Sequence, residues 1–215
     1  MKKYELTEET VTVYGKTLYR IRAVRDFGSV KTGEFGGYIE KEENLSHFGN
    51  AWVSGNAWVF DNARVYDNAW VFGNAWVFDN ARVYDDTWVY GNARDYDNAW
   101  VFGNAWVFGN ARVYDDAWVC GDAKVYGDAW VSGNAEVFNT RHFFVQGPIG
   151  SRNGFITFYR TKDDTVEVRC GCFSGSLQKF VDRVEETHGG SRYEKEYKLA
   201  AELAKVCIRL EGESR

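Results

Sequence analysis

Between Gly49 and Phe138 the chain is fifteen consecutive hexads of the form Gly/Asp-Asn/Asp-Ala-x-Val-Phe/Tyr/Ser, with Thr87, Asp95 and Cys120 as departures from it. Within each hexad the run Ala-x-Val-Phe/Tyr alternates small and large side chains, which suits a strand with two faces. The Gly/Asp-Asn pair between runs supplies a corner, because Gly and Asn tolerate positive φ. Three strands and three corners make an 18-residue triangular coil. The fifteen hexads therefore predict five stacked coils, a prism about 24 Å long. Val and Ala must point inward, since small side chains fill so narrow a prism at native density and aromatics would overfill it. Ile39 and Leu45 continue the inward Ala phase, which predicts an imperfect coil before Gly49.

The outward positions hold nine Trp and twelve Phe or Tyr. At 18-residue spacing they form columns such as Trp52-Trp70-Trp88-Trp106 and Phe72-Tyr90-Phe108. A further column, Trp58-Trp76-Arg94-Arg112-Trp130, mixes indole with guanidinium and favours cation–π stacking. So much outward aromatic surface exceeds what a monomer usually leaves in water. The seven Trp of the two indole columns are thus expected as an interface between copies of the chain, most simply in a homotrimer. A sharper alternative is an aromatic platform for sugar rings, nucleobases or a partner protein. Asp95 breaks the inward rule by occupying a Val slot in GNARDYDN. It is expected as a tolerated local distortion in which Arg94 or Arg112 reaches the carboxylate across a bulge.

The Val-x-Gly/Asp-Asn-Ala-x pattern resembles the hexapeptide repeat of left-handed parallel β-helix proteins, a triangular solenoid in which the aliphatic and the small residue point inward. The leader GKTLYRIRAVRDFGSVKTGEFGGYIEKEENLSHFGNAWV is similar to the start of short bacterial and phage-borne hexapeptide proteins, described as acetyltransferase-like or polymer-forming. The resemblance implies fold more than function, because the fold hosts acyltransferases, anhydrase-like enzymes and non-catalytic proteins. Hexapeptide acyltransferases use a histidine base and often a loop excursion. Here the repeat runs unbroken and contains no histidine: His47 precedes it and His142 follows it. Neither has a carboxylate or Ser at an indicative spacing, so both read as surface or capping residues.

The ends predict three units: residues 1–48 as an N-terminal hairpin and capping coil, 49–140 as the solenoid, and 141–215 as an α+β module. TVTVYGKTLYRIRAV reads as a hairpin turning at Gly15-Lys16, with Val11, Val13, Leu18 and Ile21 on its packed side. It would cover strand edges that otherwise invite fibre growth. In the module, VQGPIGSRNG with Pro148 reads as a linker, FITFYRTKDDTVEVRCGCF as a hairpin, and two helices follow. SLQKFVDRVEETHGG carries Leu177, Phe180, Val181 and Val184 at helical spacing between Ser176 and Gly189; SRYEKEYKLAAELAKVCIRL opens with Ser191 and Glu194 in capping-box relation.

A ligand-binding site is expected in two Gly-rich segments of this module. GSRNG offers the hydroxyl of Ser151, the fork of Arg152, and the backbone of Asn153 and Gly154, a set suited to phosphate or carboxylate. CGCFSG places Gly171, Phe173, Ser174 and Gly175 at a strand-to-helix junction whose helix N-terminus attracts anions. The competing reading is a pair of ordinary turns. Cys170 and Cys172, on one strand face, could bind zinc with His188 and Cys207, but Cys-x-Cys is not the usual paired ligand spacing, and core thiols are preferred. No metal and no cofactor is expected. Similar GPIGSRNG, CGCFSG and HG segments mark the module as resembling uncharacterised phage proteins.

Charge narrows the partners. Acidic residues exceed basic ones 31 to 26 in the chain, and 12 to 5 over residues 49–140. That balance argues against nucleic acid. No apolar run approaches the ~20 residues of a membrane span, and MKKYELTEETVTVYGK lacks the apolar core of a signal peptide. Four cysteines without framework spacing predict a reducing, cytoplasmic setting. The expectation is a non-enzymatic binding protein: an oligomerisation scaffold presenting a C-terminal recognition module. The phage-like resemblance implies a counter-defence protein that sequesters a nucleotide signal or blocks a host immune protein. The alternatives are a purely structural self-assembling element and an acyltransferase-like enzyme.

Overall fold

A computed structural model describes residues 2–210. Fifteen two-residue strands, β4 (Trp52–Val53) to β18 (Glu136–Val137), stack in parallel into a three-sided β-solenoid, one strand to each hexad. Every third strand pairs, so Trp52 lies beside Trp70, Trp70 beside Trp88 and Trp88 beside Trp106, a step of eighteen residues. The Ala and Val side chains fill the interior and are fully buried. The first residue of every hexad, Gly or Asp, takes positive φ, from Gly49 at 66° to Gly133 at 64°, with Asp97 at 55°.

The second corner residue is not the one with positive φ. Its amide instead builds ladders along the axis. Asn56 Nδ2 donates to Asn74 Oδ1 at 3.5 Å, Asn74 to Asn92 at 3.2 Å, Asn92 to Asn110 at 3.0 Å and Asn110 to Asp128 at 2.9 Å. Parallel ladders run Asn50-Asn68-Asp86 and Asn62-Asn80-Asn98-Asp116. An amide both donates and accepts, whereas an ionised carboxylate only accepts. Asp therefore stands where a ladder ends.

Ahead of the solenoid, β1 (Tyr4–Val13) and β2 (Lys16–Ala23) form the expected hairpin, turning at Tyr14-Gly15, and β2 pairs with β3 (Phe35–Ile39). Val13, Leu18 and Ile21 are buried. Strand β3 then pairs in parallel with β5 (Trp58–Val59), so the hairpin prolongs one face of the prism. Ile39 and Leu45 are inward, as expected, but they oppose Val59 and Val65, the Val slots rather than the Ala slots. This imperfect coil is two residues longer than the rest.

Of residues 145–154, expected as a linker, 145–149 belong to a strand and Gly154 opens the next. β19 (Phe143–Ile149), β20 (Gly154–Arg160), β21 (Val166–Cys170) and β22 (Phe173–Ser176) form a four-stranded antiparallel meander. Pro148 is tolerated because β19 is an edge strand, where a missing donor costs no ladder bond. Helices α1 (Leu177–His188) and α2 (Arg192–Cys207) cover one face. Ser176 and Ser191 cap them as expected. Glu194 completes only half of a capping box, accepting from Gly190 N at 2.7 Å instead of from the cap residue.

Strand β20 joins the two parts by alternation. Ile156 and Phe158 enter the core under the helices. Thr157 and Tyr159 point to the last coil, where Thr157 Oγ1 accepts from Trp130 N at 3.0 Å and Tyr159 joins the solenoid core. Buried Arg160 pairs with Glu136 at 3.1 Å and Asp164 at 2.8 Å. The module is therefore also the C-terminal cap of the solenoid.

Candidate functional site

The two Gly-rich segments, twenty residues apart, meet at one cleft of about 550 Å³ in the C-terminal module. Ser151, Arg152 and Gly154 form one rim, and Gly171 and Phe173 the other. Of the expected ligand residues these five line the cleft, and three do not. Asn153 sits in the turn at φ 47°, its N–H donating to Gly150 O. Ser174 and Gly175 lie within β22, opposite Arg169 and Val168, where that strand runs directly into α1, but they do not line the cleft. The first turn of α1 is also absent from the lining up to Lys179: α1 contributes Phe180 and, from its C-terminal half, Arg183, Val184, Thr187 and His188.

The first turn is seated by Gly150. Its N–H donates to Glu196 Oε2 at 2.7 Å, and a Cβ there would meet Tyr197 Oη at 1.9 Å. With φ at 73°, only Gly lets the turn rest on Tyr197. The floor is aromatic: Phe180 meets Phe173 edge-on at 5.4 Å between centroids and Tyr197 at 5.7 Å. His188 lies 5.6 Å from Tyr197. Burial pushes the Tyr197 hydroxyl up to about 12, and the neighbouring Arg152 charge opposes that rise.

Cys170 and Cys172 do not share a strand face. Cys170 ends β21, while Cys172 stands in the turn with Gly171. Burial raises the Cys170 thiol above its ordinary value. No group of three or more metal-ligating side chains occurs among the described residues.

Sequence reasoning missed Phe155, Arg183, Thr187 and Tyr197. Thr187 and His188 continue the Phe180-Val184 stripe of α1 by one further turn, so a polar end to an apolar stripe was the available signal.

The expected Trp interface changes more. Trp52 is fully buried, not on an open surface. Phe27 packs edge-on at 5.3 Å and Tyr4 at 6.4 Å, because the segment before β3 folds over it. Trp58, Trp70, Trp76, Trp106 and Trp130 are half-buried, and only Trp88, at 43 %, is largely exposed among those seven. Trp118, at 42 %, belongs to another column. The ladders account for this: Trp58 stacks on Trp76 at 4.6 Å and Trp88 on Trp106 at 5.2 Å. Arg94 lies 4.5 Å over Trp76, and Arg112 4.7 Å over Trp130.

Those two arginines therefore do not reach Asp95. The strand keeps regular register there, without a bulge, and both carboxyl oxygens of Asp95 are buried with no hydrogen-bond partner among the described residues. The histidines beside the repeat are structural. His47 stacks on Tyr4 at 4.2 Å, and buried His142 accepts from Phe138 N at 3.3 Å.

A family model described as YdcK Beta solenoid repeat matches residues 63–77, 75–91 and 105–121, all within the stacked coils. The chain is thus similar to that repeat over the central solenoid. No curated protein matches the chain. No helix among the described residues is long and apolar enough to cross a membrane.

Proposed function

We propose that the protein is a non-enzymatic binding protein, with the solenoid as rigid scaffold and the C-terminal cleft as recognition site for a small nucleotide-like anion. The observation that carries this reading is the convergence of both Gly-rich turns on one aromatic-floored cleft bearing Arg152 and Arg183. Rings suit a base, and a guanidinium fork suits a phosphate. The volume falls in the range of small-molecule sites. The phage-like resemblance of GPIGSRNG and CGCFSG favours a counter-defence role in which the module sequesters a nucleotide signal. Arg152 projects from an exposed turn tip, so its removal should leave the fold intact. Arg152→Ala is expected to weaken nucleotide retention about 10- to 100-fold, as loss of a charged hydrogen bond implies. Native mass spectrometry of protein isolated gently from cells reads this directly; unchanged retention by the variant would sink the assignment.

A second reading, lateral self-association, rests on exposed Trp88 and Trp118. The same spectra test it: a homotrimer of the 24.6 kDa chain supports it, and a bare monomer removes it.

A further inference from the structure

The aromatic ladders have missing rungs. In the column Phe60-Phe78-Tyr96-Tyr114 the next position is Ser132. There the chain supplies a planar cation of its own. Arg169 Nε donates to Ser132 Oγ at 2.9 Å, and the guanidinium lies 5.2 Å from the Tyr114 ring centre. Indole stacks are closed in the same way: Lys124 covers Trp106 at 4.6 Å and Arg82 covers Trp100 at 4.8 Å.

The column Phe72-Tyr90-Phe108-Tyr126 begins with Ser54 in place of a ring. Beside it Trp88 stacks forward on Trp106, while Trp70 packs back against the solenoid core. The result is a cavity of about 460 Å³ lined by Gly28, Ser29, Ser54, Trp70, Phe72 and Trp88. It repeats the elements of the Ser132 site, a serine hydroxyl beside the end of a ring stack, but among the described residues no side chain is inserted as Arg169 is there.

We propose that this missing rung is a socket for the guanidinium of an arginine side chain presented by a basic partner protein. Guanidinium closes the ring face at Trp76, Trp100, Trp130 and Tyr114, Lys124 doing so at Trp106, and Phe72 and Trp88 offer such faces. Among the described residues no charged side chain lines the socket. Asp67 stands in the corner before Trp70, and Asp85 and Asp86 in the corner before Trp88. Over residues 49–140 carboxylates outnumber cations 12 to 5, and four of those five cations already lie over rings. The solenoid field therefore draws a basic partner.

The test follows the tryptophan indole N–H signals of the full chain by NMR, with Trp70→Phe and Trp88→Phe supplying the assignments. The chain is titrated with acetyl-Gly-Arg-Gly-amide, with the same peptide carrying citrulline, and with methyl β-glucoside. Saturable shifts of the Trp70 and Trp88 signals are expected with the arginine peptide alone. Citrulline is flat but uncharged, so equal shifts from it would overturn the cation assignment. Shifts from the glucoside but not from arginine would make the socket a sugar platform. An absence of shifts from the arginine peptide would remove the site. Ser54→Phe restores the ring and should abolish binding, and Phe72→Leu, which keeps bulk but loses the face, should weaken it several-fold. Binding that survives both lies elsewhere and overturns the proposal. Dissociation of a homo-oligomer by the peptide would mean that a second copy fills the socket, which overturns the partner-protein assignment.

Discussion

Asp95 is the one inward position where the repeat puts a charge-bearing side chain into a prism built for Val. Its carboxyl touches no donor among the described residues, and burial holds it well above the ordinary carboxylate range. The folded chain therefore keeps a proton that the unfolded chain releases above about pH 4. A folded-state value raised in this way makes stability fall as pH rises from there, because the folded state binds more protons. Asp95→Val removes both the unsatisfied acid and its titration. The variant is expected to be more stable by about 1–3 kcal/mol at pH 4, the cost of an unpaired buried polar group. The gap should widen at pH 8. Urea midpoints at the two pH values check the sign, and a gap that narrows at pH 8 would mean that the carboxyl finds a partner or water.

The corner ladders carry the matching argument for an element. Asn68 donates to Asp86 at 3.1 Å, and Asn104 donates onward to Asp122 at 3.1 Å, but Asp86 cannot donate to Asn104. Asp86→Asn should join the two fragments and stabilise the fold by about 0.5–1.5 kcal/mol, the net worth of one hydrogen bond. A thermal midpoint unchanged or lowered would show that the exposed amide prefers water. The coil, its inward Val and Ala, the hairpin and both helices were legible in the sequence, because each rests on local periodicity or capping. The ladders were hidden because Asn is equally well explained by turn propensity. Trp52 was misread because its cover, Phe27 and Tyr4, comes from segments outside the repeat. In the site, Arg152 and Gly171 were found from composition. Arg183 and Tyr197 were not, because they reach the cleft only through the packing of α1 and α2 on the meander.

At the scale of the molecule, both ends of the solenoid are closed, which bears on what kind of scaffold it is. A stack of parallel strands presents unpaired backbone at each end, and an open end templates further stacking. Here β3 takes up the edge of β5, Leu45 bridges to Val65 and Lys3 Nζ donates to Ala51 O at the first coil, while Tyr159, Thr157 and Thr161 of the C-terminal module sit on the last coil. Tyr159 is fully buried there, with its hydroxyl pushed up to about 12 by that burial. Tyr159→Asp places a carboxylate in the same apolar contact and should lift the module from the coil. Coils are stabilised mainly by their neighbours, so the loss stays local and most of the far-ultraviolet circular dichroism should persist. The exposed edges of β16 (Lys124–Val125), β17 (Trp130–Val131) and β18 should then drive concentration-dependent assembly, visible in light scattering and as fibrils by electron microscopy. The unaltered chain is expected to keep a finite size over the same concentrations. Fibrils from the unaltered chain would show that the caps do not block growth and would favour the reading as a self-assembling structural element. A folded Tyr159→Asp protein that stays finite would show that the edges are protected by something other than the module.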